Sequence, residues 1–372
     1  MSSTQAFAIV ASTVAAVTAL FTLGTQAQPA QIKVAMTDST ASTLVGVKRA
    51  VISSVTVSFQ ASVAEKTSTQ GLFANKTDAS ATLQMPEVDM ALLASIADEI
   101  YDQLKTDLQS NGFELVPEAT LLTSANYKNI LRTSGITNYA KYANLNGDIW
   151  LVGATALKPY LPYAAEAGKF VQPAKSHIKG WLSGMTRGSS TEGGPTYAST
   201  GNYELPAMEV ALAKELGAHV VKATYVVTLG AAAANTAHGG TRTEYSGKAK
   251  AQAGLAAGQS RIAFRTPSAN AKGESASTNY AANFGDNAPP AKDGDVVVAL
   301  ASTIAGGTSF FSIVEPETKS GSLLGGLLSG FGSGADKQFI FTATVNDAAS
   351  YRADVLGMLK AAQRDMLGMV KQ

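Results

Sequence analysis

From Val88 to Leu108 a large apolar residue returns at every fourth position: Val88, Leu92, Ile96, Ile100, Leu104 and Leu108. Leu93, Ala97 and Tyr101 flank this stripe, while Asp89, Asp98, Glu99, Asp102, Lys105 and Asp107 fall mostly off it. A recurrence close to 3.6 residues means one helix with one apolar side, running from about Glu87 to Ser110. Pro86 suits its start and Asn111-Gly112 its C-terminal cap. The acidic residues read as a solvated outer face. A stripe of this length left in water would be unfavourable, so the rest of the chain has to supply a surface that covers it.

That surface is a sheet. Val55, Val57, Phe59, Ala61 and Val63 alternate with Thr56, Ser58, Gln60 and Ser62, which is the period of a half-buried strand over Val51–Val63. Residues 64–86 are polar and read as a loop. A short strand at Phe113–Val116 stops at Pro117, and a second helix runs from Glu118 to about Arg132. Residues 133–147 read as a turn or short helix. Ile149-Trp150-Leu151-Val152-Gly153 marks a buried strand over Asp148–Leu157, with Trp150 in the core. Strand, helix, strand, helix, strand argues for an α/β or α+β fold, a mixed sheet with amphipathic helices packed on it. Leu92, Ile96, Ile100 and Leu104 are expected to cover Val55, Val57, Phe59, Ile149, Leu151 and Val227.

The second half continues the pattern with interruptions. Residues 158–204 hold Pro159, Pro162, Pro173 and Pro195 and read as an insertion outside the sheet. A helix at Leu205–Leu216 closes at Gly217, and a strand at His219–Leu229 places Val221, Ala223, Tyr225 and Val227 on one face. Residues 230–245 read as a small-residue loop, Lys248–Arg265 as two strand pieces split at Gly258, and 266–294 as a polar loop. Strands at Asp295–Ile304 and Thr308–Val314 meet at Gly306-Gly307, a hairpin signal. After a Gly- and Leu-rich stretch at 316–336 come a strand at Lys337–Val345 and a helix at Asp347–Lys371. The core is thus expected in two halves, 28–157 and 205–372, with long loop or β-rich insertions at 158–204, 230–294 and 316–336.

The N-terminus points to export. No charged residue occurs from Ala6 to Leu23, and small Thr25 and Ala27 precede Gln28-Pro29, so 1–27 reads as a signal peptide. The opening Met1–Gln5 lacks the usual basic residue, and a retained anchor is the alternative. Charged residues make up 15% of the chain against about 25% in typical domains, and the net charge is +1. Such a balance offers no field to hold nucleic acid. The absence of cysteine removes thiol catalysis, disulfides, Cys-type zinc sites and a lipoprotein anchor together.

These elements resemble the CsgG/TolB-N-like group of periplasmic and outer-membrane assembly proteins. The resemblance rests on the strand Val51–Val63 and on the helix Asp89-Met90-Ala91-Leu92-Leu93-Ala94-Ser95-Ile96-Ala97-Asp98 leading into Gly112-Phe113-Glu114-Leu115-Val116-Pro117. The strands Asp148–Val152 and Val220–Gly230 and the closing segment Phe339–Lys371 complete it. It covers the α/β core, about half of the chain, and departs from better-known members in its missing lipobox Cys and its long insertions. The resemblance implies an exported, non-catalytic envelope protein, periplasmic, outer-membrane or extracellular. It would work through contacts with envelope or secretion-system proteins and form a homo-oligomer such as a ring. It supplies no catalytic residues.

No chemical signature contradicts this. The three histidines, His177, His219 and His238, form no HExxH or helical pair, and neither G-x-S-x-G nor a phosphate-binding P-loop occurs. His219 reads as structural and His238 as an exposed loop residue. Gly330-Phe331-Gly332-Ser333-Gly334-Ala335 matches a dinucleotide pattern in letters, yet it follows a Leu/Gly run rather than a strand. Asp293-Gly294-Asp295 is too short for an EF-hand loop. No catalytic, cofactor or metal residue is therefore expected. Two alternatives stay open: a self-associating surface or extracellular subunit, and a hydrolase whose site residues lie far apart in sequence.

Leu323, Leu324, Leu327, Leu328 and Phe331 crowd into nine positions interrupted by Gly325, Gly326 and Gly330. Each Gly costs a helix about 1 kcal/mol relative to Ala, so a stable core helix would rarely accept three. This segment is expected to meet another subunit or to make a peripheral membrane contact; a short buried helix over the sheet is the alternative. Trp181 either anchors the 158–204 insertion or joins the partner contact. Each such Leu buried on contact contributes about 1.5–3 kcal/mol. Replacing Leu324 and Leu327 with Ser should therefore abolish assembly or membrane association at unchanged Tm. A large fall in Tm with the same oligomeric state would place the segment in the core instead.

Overall fold

The computed structural model describes residues 34–36, 44, 47–69, 77–136, 138–144, 147–160, 201–239, 242–267, 295–320 and 337–370. The expected signal segment 1–27 and most of the 158–204 insertion lie outside them. The described residues form a mixed α/β structure with two sheets and five helices.

The stripe predicted from sequence is helix α1, Met90–Ser110. Asp89 caps it by accepting from the Ala91 and Leu92 amides, and Gly112 takes a left-handed φ of 85° just past Asn111. Strand β1 is Val34–Met36 and β2 is Arg49–Gln60. β2 lies inside the larger sheet, parallel to β8 (His219–Gly239) and antiparallel to β7 (Gly147–Gly153). Val55, Val57 and Phe59 share one core with Ile96, Ile100, Leu104 and Val227, as expected. Ile149 and Leu151 do not. The register sets Val57 opposite Val152 and Phe59 opposite Trp150, and residues directly across a ladder share a face. Ile149 and Leu151 consequently point the other way and pack with Val226 and Ala256. Trp150 is half-buried beside the main core.

The alternation along β2 suggested one wet face, but Thr56, Ser58 and Gln60 are buried too. β2 has neighbours on both edges and cover on both faces. After β2 the chain bends at Ala61 and enters the smaller sheet. Residues 64–86 are not a loop: they hold β3 (Ser62–Thr69) and β4 (Thr77–Gln84). The expected second helix is broken at Ser124 into α2 (Glu118–Thr123) and α3 (Ala125–Ser134), because the Ser124 hydroxyl accepts from the Tyr127 amide and starts a new helix. Before α2, β5 (Glu114–Leu115) adds to β2, and the expected turn at 133–147 contains edge strand β6 (Ala140–Asn144).

The second half shows the largest departures. Helix α4 is Gly201–Leu216, closed by Gly217 at φ 57°. β8 does not stop at Leu229. It runs on through the Ala-rich stretch to Gly239 and turns back into β9, Arg242–Leu255. His238 is therefore a strand position, opposite Thr243. The register slips between Thr228 and Gly230, where Gly230 has φ 139° and a Cβ would collide with the Lys250 carbonyl. Small side chains hide the strand from periodicity but allow close approach: a Cβ on Gly247 would clash with the Phe339 ring. Residues 230–255 and β10 (Arg261–Arg265) thus belong to the larger sheet rather than to an external insertion. Residues 268–294 lie outside the described residues.

β11 (Asp295–Leu300) pairs with β1 and β10, and β12 (Ile304–Ala305) pairs with β9. β13 (Phe311–Ser320) and β14 (Lys337–Val345) pair with each other in the smaller sheet. Gly306-Gly307 is accordingly no hairpin turn. It is the crossing between sheets, pinned where the Gly307 amide donates to Asp354 at 2.9 Å. The smaller sheet has the order β13-β14-β4-β3 and lies over the β8–β9 hairpin around Leu83, Leu229, Ala251, Phe339 and Phe341.

Helix α5, Ala348–Gly368, is capped by Asp347, whose carboxylate accepts from the Ser350 amide. It lies beside α1, and the acidic side of α1 is not simply solvated. Glu99 takes Arg352 and Lys360, Asp107 accepts from Gln363 at 2.7 Å, and Asp98 accepts from Thr155.

Ile100 is fully buried, so Ile100→Ala should cost about 2–5 kcal/mol in denaturant unfolding. Leu151→Ala acts on the opposite face of the sheet. The double variant should lose the sum of the two within about 0.5 kcal/mol; a larger coupling would mean the two share a core.

Candidate functional site

Three arrangements carry chemistry or exposure beyond packing. The first is the rim of the smaller sheet. Among the described residues nothing pairs with the outer side of β13 or of β3. β13 begins on an aromatic knot in which Phe310 and Phe311 meet Tyr351 at ring distances of 5.4 and 5.8 Å. Directly after it, Ile313 is 37% exposed and Val314 62% exposed. A register break follows between Val314 and Glu317. At the other rim β3 exposes Glu65 and Lys66, the latter 2.9 Å from Asp78. The alternation of Thr308–Val314 reveals a strand but not that its outer edge stays open, because edge status depends on which strands pair.

Of the residues expected to meet a partner, Leu323, Leu324, Leu327, Leu328, Phe331 and Trp181 all lie outside the described residues. The place of the five in 323–331 along the chain is nonetheless defined. Ser320 pairs with Lys337, so residues 321–336 connect two paired strands. Thr69 pairs with Thr77 and Lys337 lies beside Ala79, which puts the β3–β4 connection at the same end of the sheet.

The second arrangement is a buried ionic cluster that sequence patterning did not suggest. Glu209 of α4 is fully buried. Lys222 Nζ of β8 stands 2.8 Å from one carboxylate oxygen, and Arg265 of β10 donates to the other through Nε at 3.2 Å and Nη2 at 3.0 Å. Tyr160 donates to Glu209 at 3.2 Å and its hydroxyl is 2.7 Å from Ser53 Oγ. Ser53 is the extra residue of β2 where the register against β8 jumps from Ile52 to Ser54. Serine, tyrosine, lysine and glutamate together resemble an acid–base site in composition. Burial, followed by the nearby Glu209 charge, pushes the Tyr160 hydroxyl well above its ordinary range. It stays protonated and donates, so this tyrosine does not serve as a base near neutrality. Sealed and mutually satisfied, the cluster fixes α4 on the sheet.

The third is a half-open cavity of about 120 Å³ floored by Val51, Ile52 and Val116 and rimmed by Tyr101, Lys105 and Glu118. Tyr101 donates to Glu118 at 2.5 Å, and Lys105 stands 2.7 Å from Asp102 and 4.4 Å above the Tyr101 ring. Burial and then the Glu118 hydrogen bond raise the Tyr101 hydroxyl, and Asp102 raises the Lys105 ammonium. Both keep their protons at neutral pH.

Among the described residues no group of three or more His, Asp or Glu side chains is placed to hold a metal ion. Among them, too, no helix is long and apolar enough to cross a membrane. Compared with known proteins, the chain matches no family model, no curated protein and no solved structure.

Glu209→Gln removes the charge that Lys222 and Arg265 both face and leaves two buried cations without it. The expected loss is about 3–5 kcal/mol in denaturant unfolding. A loss under about 0.5 kcal/mol would show that the cluster does not hold α4.

Proposed function

We propose that the protein is an exported, non-catalytic subunit of the cell envelope that serves assembly, secretion or structural support. It acts by joining copies of itself and envelope or secretion-system proteins. The observation that carries this reading is strand β13, whose outer side is paired by no described residue, with Val314 62% exposed and Ile313 beside it. The stretch Phe311–Val314 is apolar apart from Ser312 and offers its backbone to another strand, while the bulge and Glu315-Pro316-Glu317 that follow confine such pairing to that stretch. The uncharged N-terminal run and the resemblance to the CsgG/TolB-N-like group support the compartment.

The topology supports a repeating contact. β13 is antiparallel to β14, β14 is parallel to β4, and β4 is antiparallel to β3, so the two open strands run in the same direction. One copy's β13 can therefore lie beside the next copy's β3 without inverting the molecule. Head-to-tail addition of this kind closes into a ring or grows as a filament. The Leu323–Phe331 segment belongs to the β13–β14 connection in sequence, outside the described residues. A self-associating extracellular subunit would use the same edges, and cell fractionation separates the two.

Burying one valine contributes about 1.5 kcal/mol, roughly tenfold in affinity. Val314→Lys also places a charge on the edge. In sedimentation velocity the wild-type chain should form an oligomer and the variant a monomer, with Tm unchanged because the site is exposed. A monomeric wild type at every concentration, or an oligomer unaffected by the lysine, would refute the edge contact.

A further inference from the structure

β5 adds to β2 only at Arg49 and Ala50, and β7 joins the same flank at Thr56. The break between them has a local cause. Val116 still donates to the Ala50 carbonyl at 2.8 Å, but Pro117 has no N–H to continue the ladder, and the chain turns into α2. Further along β2, the Ser53 carbonyl accepts from the Tyr127 hydroxyl and the Val55 carbonyl from the Ala154 amide. Neither ladder reaches Val51 or Ile52 on this flank, and the half-open cavity of about 120 Å³ lies there.

The cavity floor is aliphatic, made by Val51, Ile52 and Val116. Its mouth is acidic. Glu118 Oε1 accepts from Tyr101, and Lys105 stands 3.6 Å from that oxygen and 2.7 Å from Asp102. Every contact of Glu118 with the described residues falls on Oε1, which leaves Oε2 at the rim, where the side chain is 39% exposed. Two carboxylates against one ammonium make the mouth net negative. The neighbouring Glu114 is offset by Arg49 at 4.0 Å.

Shape and charge together select one class of guest. An aliphatic floor takes an apolar body. An apolar cavity of roughly 150 Å³ holds benzene, so one ring or a short branched chain fits here. An anionic head would meet Glu118 and Asp102, whereas an ammonium finds a carboxylate oxygen with no other partner. We propose that this cavity binds a small primary amine with a single-ring or branched aliphatic body. The body rests on Val51, Ile52 and Val116, and the ammonium donates to Glu118 Oε2. The strand-edge contact uses none of these residues, so the two readings stand or fall separately.

Methyl NMR of the full chain at neutral pH tests this with benzylamine, benzyl alcohol and benzoate, which share one ring and differ in charge. Benzylamine should shift the Val51, Ile52 and Val116 methyls saturably. It should bind about fivefold tighter than benzyl alcohol, the worth of a half-exposed ion pair. Benzoate should bind more weakly than the alcohol. Glu118→Gln keeps an acceptor for Tyr101 and removes the charge, so most of the preference for the amine should disappear. Saturable shifts confined to other residues, or none at all, would overturn the proposal. So would equal affinity of amine and alcohol in the wild type, or a preference undiminished in Glu118→Gln. Should that variant not fold, the ranking of the three probes on the wild-type chain decides by itself.

Discussion

Strand β2 is paired along most of its length with β8 on one side, on the other with β5 at its start and β7 from Thr56 to Gln60, and both of its faces are sealed. A strand in that position forces two solutions at once. Its apolar face needs helical cover, which α1 provides through Ile96, Ile100 and their neighbours. Its other face carries Ser54, Thr56, Ser58 and Gln60, and buried polar groups need partners. Gln60 accepts from the Leu229 amide at 3.0 Å, and Thr56 faces Thr224 across the parallel pair at 3.5 Å. The bulge at Ser53 turns its hydroxyl to Tyr160, which ties the sheet to Glu209 and α4.

β8 transmits this rigidity to the smaller sheet. Its first half lies in the main core through Val221, Ala223, Tyr225 and Val227. Its second half, with β9, forms the floor of a separate core through Leu229, Ala232 and Ala251. The two cores are not independent modules, since one continuous strand serves both. Strands β13 and β3, whose outer sides no described residue pairs, are therefore carried on a platform braced by the main sheet.

The same bracing engages the polar clusters. Glu209, Tyr160 and Ser53 are sealed, and their hydrogen bonds are spent on each other and on neighbouring strands. Tyr101, Lys105 and Glu118 are more open, but each is already engaged within the trio or by Asp102.

Features set by neighbouring residues were legible in sequence. Helices α1 and α5 appear as apolar stripes with Asp89 and Asp347 ahead of them, because a helix satisfies its backbone internally and its face is set by its own periodicity. The buried strand around Trp150 and the turns at Gly217 and Gly258 were visible for the same reason. Strands β3, β4 and the far half of β8 were not, because Ala, Ser, Gly and Lys carry little strand preference and become strands only when another strand supplies the hydrogen bonds. Pairing register also lay beyond the sequence: it put Val152, not Leu151, beneath α1. Glu209 gave no signal, since Lys222 and Arg265 reach it only after β8 and β10 pair. By itself the sequence determined the helices, the absence of cysteine chemistry and the mixed α/β class. Only the tertiary structure decided the pairing order, the two cores and the open edges, because strand hydrogen bonds and buried charge pairs form between residues far apart in the chain.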